Sequence, residues 1–425
     1  MDVRKTIKTA LYQLHIDKLR KHQQKPINSI LDGQDTLVIA PTGSGKSIIY
    51  QVPALVHSAS LTLVIEPTLA LIYNQVHTLQ ELGIAADYLD STRSEQEIET
   101  VLKKAQKGKL NLLYVTPERL QSKTFCQIME QVDLFMIVAD ECHCITEWGY
   151  TFRDAYLKIG TFIDHLPKRP VICACSATIP EDSLDEIAHL LHMDKPQVFH
   201  SDLKRENLIL LKKDMTSTKK PLEKRLVERI KALDKFIRKY WNGGSVVIYA
   251  LTTGYVDAIY NHLDSIYPGQ VARYHAQMKP DKLRHQMELD FLRGEKKIMV
   301  ATTVFGMGID IPDIELVLHF NTPISMTDYI QQVGRAGRDG RKAHCVLFYD
   351  QNGDDRRIFS SFQKKSAQYS GKAARVLTER YQQMQDFVDS TNCMVQDILR
   401  FQGQNEPKRC KCCTNCAKSR RGGHR

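Results

Sequence analysis

A chain of 425 residues that is 42% apolar has material for roughly three domains with their own cores. Its net charge of +10 favours a polyanionic partner, because lysine and arginine neutralise phosphates and release counterions. No apolar run approaches the ~20 residues of a membrane helix, Met1-Asp2-Val3-Arg4-Lys5 starts no signal peptide, and 11 cysteines argue for reduced thiols or metal rather than a disulfide framework, so a soluble, cytoplasmic protein is expected, nucleoid-associated if bacterial.

Short β-branched runs alternate with helical patterns along most of the chain. Residues 36–40, 61–65, 112–116, 135–139 and 171–174 read as strands. A charged stretch follows, from Lys204 through Lys212-Lys213-Asp214 to Lys219-Lys220-Pro221, and reads as a connection. The alternation then restarts, with strands over 245–250, 271–274, 298–301, 316–320 and 345–349. This pattern implies βαβ units and two parallel sheets. Residues 351–405 are polar and helical in pattern, and the end is rich in Cys, Lys and Arg.

The first strand runs into Ala40-Pro41-Thr42-Gly43-Ser44-Gly45-Lys46-Ser47, and a helix follows over 47–55. Strand, Gly-rich loop and helix in that order form a phosphate-binding loop. Its backbone N–H groups and helix N-terminus attract phosphate. Lys46 is expected to reach the β- and γ-phosphates and Ser47 to ligate Mg²⁺; Ala40 stands where the strict pattern has glycine. The strand at 135–139 ends in Asp140-Glu141-Cys142-His143. Carboxylates there lie at the edge of the sheet where open α/β folds bind ligands. Asp140 is expected to hold Mg²⁺, directly or through water, and Glu141 to orient and deprotonate the attacking water. Farther on, Gln331-Gln332-Val333-Gly334-Arg335-Ala336-Gly337-Arg338 places two arginines three apart, one face of a helix. Either suits an arginine finger.

With these segments in place the chain resembles a superfamily-two helicase and, within it, the RecQ family. The resemblance runs in order through Leu19-Arg20-Lys21-His22-Gln23, Pro67-Thr68-Leu69-Ala70-Leu71 with Gln75, Thr116-Pro117-Glu118-Arg119, the acidic box, Ser176-Ala177-Thr178, Tyr274-His275-Ala276, Ala301-Thr302-Thr303-Val304-Phe305-Gly306-Met307-Gly308-Ile309-Asp310 and the arginine segment. It implies that Arg20 and Gln23 read adenine and that Gln331, Gly308 and Asp310 belong to the ATP site. It also implies that Thr116, Arg119 and Thr302 meet nucleic acid. Cys144-Ile145-Thr146-Glu147-Trp148-Gly149-Tyr150-Thr151-Phe152-Arg153-Asp154-Ala155-Tyr156 resembles the family's aromatic-rich loop, which senses single-stranded DNA. Trp148, Phe152 and Tyr156 offer stacking faces worth ~1–3 kcal/mol each, and Arg153 a charge for phosphate. Tyr150-Thr151 replaces the family's usual His-Asp, and Ile16 an aromatic that stacks on adenine.

Cys393 followed by Cys410, Cys413 and Cys416 makes a tetrahedral thiolate set that favours Zn²⁺. Cys412 is the spare, and a set with Cys412 in place of Cys413 is the less natural alternative. The family resemblance extends to this arrangement. Many relatives continue into winged-helix and HRDC domains; this sequence stops soon after Cys416, so a short form without them, or a fragment of a longer chain, is expected.

The expected architecture is α/β, with two tandem RecA-like parallel-sheet lobes and a small helical zinc-binding domain. The lobes span 1–203 and 204–350, and the zinc domain with its basic tail 351–425. Expected partners are single-stranded and branched DNA, with single-strand-binding protein or other repair factors as candidates; no membrane is expected, and the chain is expected to be a monomer. The resemblance implies 3′-to-5′ movement on DNA driven by ATP, with Mg²⁺ and Zn²⁺ as cofactors. An RNA helicase of the same superfamily and an ATP-gated annealing protein are the alternatives.

Overall fold

The computed structural model describes residues 3–148, 154–216, 221–303, 305–306, 314–350, 353–367 and 371–417. The chain forms two compact units that divide between Leu203 and Lys204. The first is built on seven strands: β1 (Thr36–Ile39), β2 (Leu61–Ile65), β3 (Ala86–Leu89), β4 (Leu112–Val115), β5 (Leu134–Ala139), β6 (Val171–Ser176) and β7 (Gln197–His200). They lie in the order β3-β4-β2-β5-β6-β1-β7, and every pairing is parallel. Parallel neighbours require crossovers, and the crossover helices cover both faces. This explains why β1, β2 and β4 are buried at every position. The carboxyl ends of β1, β2, β5 and β6 therefore share one edge.

The second unit holds β8 (Leu208–Asp214), β9 (Ser245–Tyr249), β10 (Val271–Tyr274), β11 (Ile298–Ala301), β12 (Ile314–His319) and β13 (Ala343–Tyr349). Their order is β10-β11-β9-β12-β13-β8, again all parallel. β8 corrects the expectation of a connection at Lys212-Lys213-Asp214: it pairs with β13 along its whole length. Leu208 and Leu210 enter the core while Lys212 and Lys213 do not, a composition that suits a sheet edge.

Three helices, Asp354–Ala367, Gly371–Asp389 and Met394–Phe401, follow the second sheet. The first is anchored by Asp355, which is 1% exposed. Its carboxylate accepts from Arg229 Nη2 at 3.0 Å, Asn321 Nδ2 at 2.8 Å and the Thr322 amide at 3.0 Å. A buried charge persists only with such partners. Among the described residues, no helix is long and apolar enough to cross a membrane.

Candidate active site

The loop between β1 and the helix Lys46–Val56 turns twice through left-handed backbone, at Gly43 (φ 77°) and Gly45 (φ 81°). Gly45 has a second reason to be glycine: a Cβ there would lie 2.8 Å from Gln23 Nε2. Gln23, buried at the start of the helix Lys21–Leu31, donates to the Gly45 carbonyl at 3.0 Å, and its Oε1 accepts from the Arg20 amide at 2.8 Å. Arg20 Nη1 reaches the Gly43 carbonyl at 3.2 Å, and His22 Nε2 lies 3.2 Å from that of Ser44. Arg20 and Gln23 thus stand beside the loop that carries Thr42, Ser44, Lys46 and Ser47. Ile16 is partly buried against the first core. The Ser44 hydroxyl is buried without a hydrogen-bond partner, so the loop fits a phosphate that would supply one.

Lys46, 9% exposed, places its ammonium 3.6 Å from Glu141 Oε1. The ladder bond from the Asp140 amide to the Ile65 carbonyl (3.1 Å) holds the acidic pair at the end of β5. Asp140 accepts from Tyr50 Oη at 3.0 Å and from the Glu141 amide at 2.8 Å. Glu141 adopts φ 47°, a strained value for a residue with a Cβ, which turns its carboxylate toward Lys46 and His143. His143 Nδ1 lies 3.3 Å from Glu141 Oε2 and 2.9 Å from Ser176 Oγ, linking the acidic box to the end of β6. Burial opposes the charged His143 ring, but the Cys144 thiol and Glu141 carboxylate beside it push its pKa well above the ordinary value. Burial and the Glu141 charge push the Asp140 carboxyl up, against the pull of Lys46. Ser47, on the first turn of the helix, and Asp140 are candidate oxygen ligands for a divalent cation at this edge.

Around this edge, Thr116 caps the short 3₁₀ turn Pro117–Gln121, and Arg119 donates to the Asp90 carbonyl at 2.8 Å. Trp148 closes the helix His143–Trp148; its side chain, like Phe152, Arg153, Gly308 and Asp310, lies outside the described residues. Tyr156 corrects one expectation. It is 2% exposed, because the turn Asp154–Lys158 folds Ala155 and Tyr156 into the unit's interior. A ring so placed offers no face to a base.

In the second unit, Thr302 is buried after β11. Gln331 lies on the helix Met326–Val333, whose Gln332 accepts from His319 Nε2 at 2.8 Å. That helix ends at Val333, so Arg335 and Arg338 lie in the turns beyond it rather than on one helical face. Arg205 explains the difference. Its guanidinium donates to the carbonyls of Gly334 (3.3 Å), Ala336 (2.8 Å) and Gly337 (2.9 Å), and Asn207 also donates to Gly337 (2.7 Å). Carbonyls held this way have no need of helical partners. Gly337, at φ 58°, carries the reversal, and Arg335 donates to the Gly306 carbonyl.

Cys393, Cys410, Cys413 and Cys416 converge until their sulfurs lie within 4.8 Å of one another. Cys412 is exposed and outside the set. The Cys410 amide points at Cys393 Sγ (3.3 Å) and the Cys413 amide at Cys410 Sγ (3.4 Å), bonds that suit thiolates. Thr414 accepts from the Lys212 amide at 2.9 Å, and Lys212 Nζ donates to the carbonyls of Val388 and Ser390 at 2.7 and 2.6 Å. The cluster is thereby docked on the edge strand β8. Four converging sulfurs fit a tetrahedral soft-metal site.

Sequence reasoning missed Tyr50, Glu66 and Arg205. Glu66 had a signal: a carboxylate at the end of a strand, one residue before the Pro67-Thr68 motif. Arg205 had none, since a lone arginine in a charged stretch is indistinguishable from a surface residue.

Comparison with known proteins follows the same division. Residues 20–187 match the DEAD/DEAH box helicase family and residues 228–340 the helicase conserved C-terminal domain. Among solved structures, the helicase MrfA bound to DNA and AMPPNP superposes with a TM-score of 0.67 at 20% identity, over 85% of this chain and 53% of that one. The DEAD-box helicase Mss116 bound to single-stranded RNA gives 0.67 at 18%, over 94% and 88%. These share the fold. The chain thus shares the two-unit build of DEAD/DEAH box helicases. Within that class it is similar to the RecQ family: it is 35% identical to the ATP-dependent DNA helicase RecQ of Bacillus subtilis over 95% of its own length and 65% of the relative's. The corresponding figures for RecQ of Pasteurella multocida are 32%, 96% and 62%, and for the RecQ-like helicase BLM of Xenopus laevis 31%, 94% and 30%. The chain therefore spans less than two thirds of the length of these relatives.

Proposed function

We propose that this chain is an ATP-dependent DNA helicase of RecQ type that translocates 3′ to 5′ on single-stranded DNA and opens duplex or branched DNA in repair and recombination. The observation that carries the reading is the gathering of the glycine loop, Lys46 and the Asp140–Glu141 pair at one sheet edge, in a chain similar to this family. In this reading Arg20 and Gln23 select adenine, and the backbone from Thr42 to Gly45 cradles the phosphates. Phosphate gives the Lys46 ammonium a stronger partner than Glu141, whose carboxylate is then free to orient and deprotonate water. Ser47 and Asp140 would hold Mg²⁺, which supplies charge neutralisation when bound. Gln331, Gly308 and Asp310 complete the nucleotide contacts, and Arg335 and Arg338 offset charge on the transferred phosphoryl group.

Thr116, Arg119, Trp148, Phe152, Arg153 and Thr302 are assigned to DNA; Tyr156 leaves that set and shapes the base of the sensing loop. Cys393, Cys410, Cys413 and Cys416 are assigned to one structural Zn²⁺. The working division is a first lobe over 1–203, a second over 204–350 and a zinc domain over 351–425, acting as a monomer. Single-strand-binding protein and other repair factors are candidate partners.

The reading is tested by ATP turnover with single-stranded DNA or RNA of equal length. Several-fold stimulation by DNA and little by RNA is expected. Equal stimulation by both removes the DNA assignment, and none by either removes the motor.

A further inference from the structure

β2 and β5 are parallel neighbours in register at Ile65 and Ala139. The ladder extends one residue beyond them: the Asp140 amide donates to the Ile65 carbonyl at 3.1 Å and the Glu66 amide to the Val115 carbonyl at 3.0 Å. Glu66 and Asp140 are therefore side by side on one face of the sheet, on strands about 4.8 Å apart. Glu66 is 1% exposed, and neither of its carboxylate oxygens meets a hydrogen-bond donor. Tyr50, on the Lys46–Val56 helix, donates its hydroxyl to Asp140. The groups that act on Glu66 are Asp140, by charge and by a carboxyl–carboxyl contact, then Glu141 and Lys46, and the Lys46 ammonium lies against Glu141. Two more polar atoms on this face, Thr62 Oγ1 and Tyr114 Oη, are also buried without partners.

A buried carboxylate keeps its charge only when it is paired or serves a cation, and otherwise takes up a proton. A packing role alone would be met by an apolar residue of similar size. We infer that Glu66 is a third carboxylate of the metal–nucleotide site, which holds the water shell of the divalent cation bound beside Asp140 and so positions the metal. Because Glu66 is the residue before the Pro67-Thr68 motif, the site reaches a third strand, β2, beyond those carrying the loop and the acidic box. This inference rests on the nucleotide-site reading above and makes a separate prediction about metal affinity.

The test is retention of Mn²⁺ in the ADP complex of the full chain, read by electron paramagnetic resonance. Alongside it, ADP affinity is measured with and without divalent cation. Groups that orient metal ligands typically contribute 10–100-fold in metal affinity. Glu66→Gln is expected to weaken Mn²⁺ by about that factor while metal-free ADP affinity is unchanged. Unchanged Mn²⁺ affinity overturns the inference, because Gln mimics a neutral carboxyl hydrogen-bonded to Asp140 and also tolerates a simple water chain. Should Glu66→Gln fail to fold, Glu66→Asp keeps the charge but withdraws it by one methylene. Severalfold weaker Mn²⁺ retention supports the role, and unchanged retention overturns it. Wild-type chain that binds no ADP overturns the underlying nucleotide-site reading as well, whereas normal wild-type binding with indifferent variants overturns this inference alone.

Discussion

At the residue scale the account turns on Glu141. Its backbone at φ 47° is held by the acidic-box turn, and its carboxylate is shared between Lys46 (3.6 Å) and His143 (3.3 Å). Strain of this kind persists where the surroundings over-determine a geometry, often at a site of chemistry. Glu141→Gln keeps the shape and removes the base. ATP affinity is expected to stay within a few-fold, and turnover to fall by about 10²–10⁴, the usual contribution of a positioned base. Turnover near the wild-type rate would remove Glu141 from that role. The residues of this site were legible in the sequence because each motif is contiguous: a glycine loop after a strand and two carboxylates after another state their placement locally. Glu66 and Tyr50 were not, since their meaning comes from the pairing of β2 with β5 and from the packing of a helix on it. Tyr156 was misjudged because an aromatic in a loop motif looks the same whether it faces inward or out.

Elements were legible where apolar runs are continuous. The ten strands expected from such runs are all present, and β3, β7 and β8 are the additions. β8 was hidden by its lysines, one of which does structural work by tying β8 to the cysteine loop. The turn holding Arg335 and Arg338 was read as helix because Arg205, 130 residues upstream of Arg335, supplies the donors that end it. Two predictions belong here. The cysteine loop is expected to carry about one Zn²⁺ per chain; structural sites of this kind contribute apparent energies of ~10–16 kcal/mol. Cys413→Ser should lose the metal and expose the 390–417 segment to protease, as read by metal analysis and limited digestion. Full retention of metal would contradict the assignment. His319 sits at the end of β12, 1% exposed, with rings of Tyr249 and Tyr329 5.6 and 5.1 Å away. Burial pushes its pKa down to about 4, only partly offset by the Gln332 bond. The unfolded chain takes up this proton near pH 6.5 and the folded chain only near pH 4. The stabilisation is therefore complete above pH 6.5 and drains away as pH falls toward 4, by a total on the order of 3 kcal/mol. Unfolding measured across that interval should show the gap between wild type and His319→Gln shrinking as pH falls; a constant gap would contradict the buried neutral ring.

For the whole molecule, two parallel sheets, a nucleotide edge on the first and an arginine turn on the second are what the proposed conversion of ATP turnover into movement along a strand calls for. The most direct measurement is strand displacement from duplexes bearing a 3′ or a 5′ single-stranded tail, with and without ATP, using the full chain. The account predicts ATP-dependent displacement of the 3′-tailed substrate and little of the 5′-tailed one, abolished by Glu141→Gln. Displacement that ignores tail polarity, or proceeds equally without ATP, would contradict it.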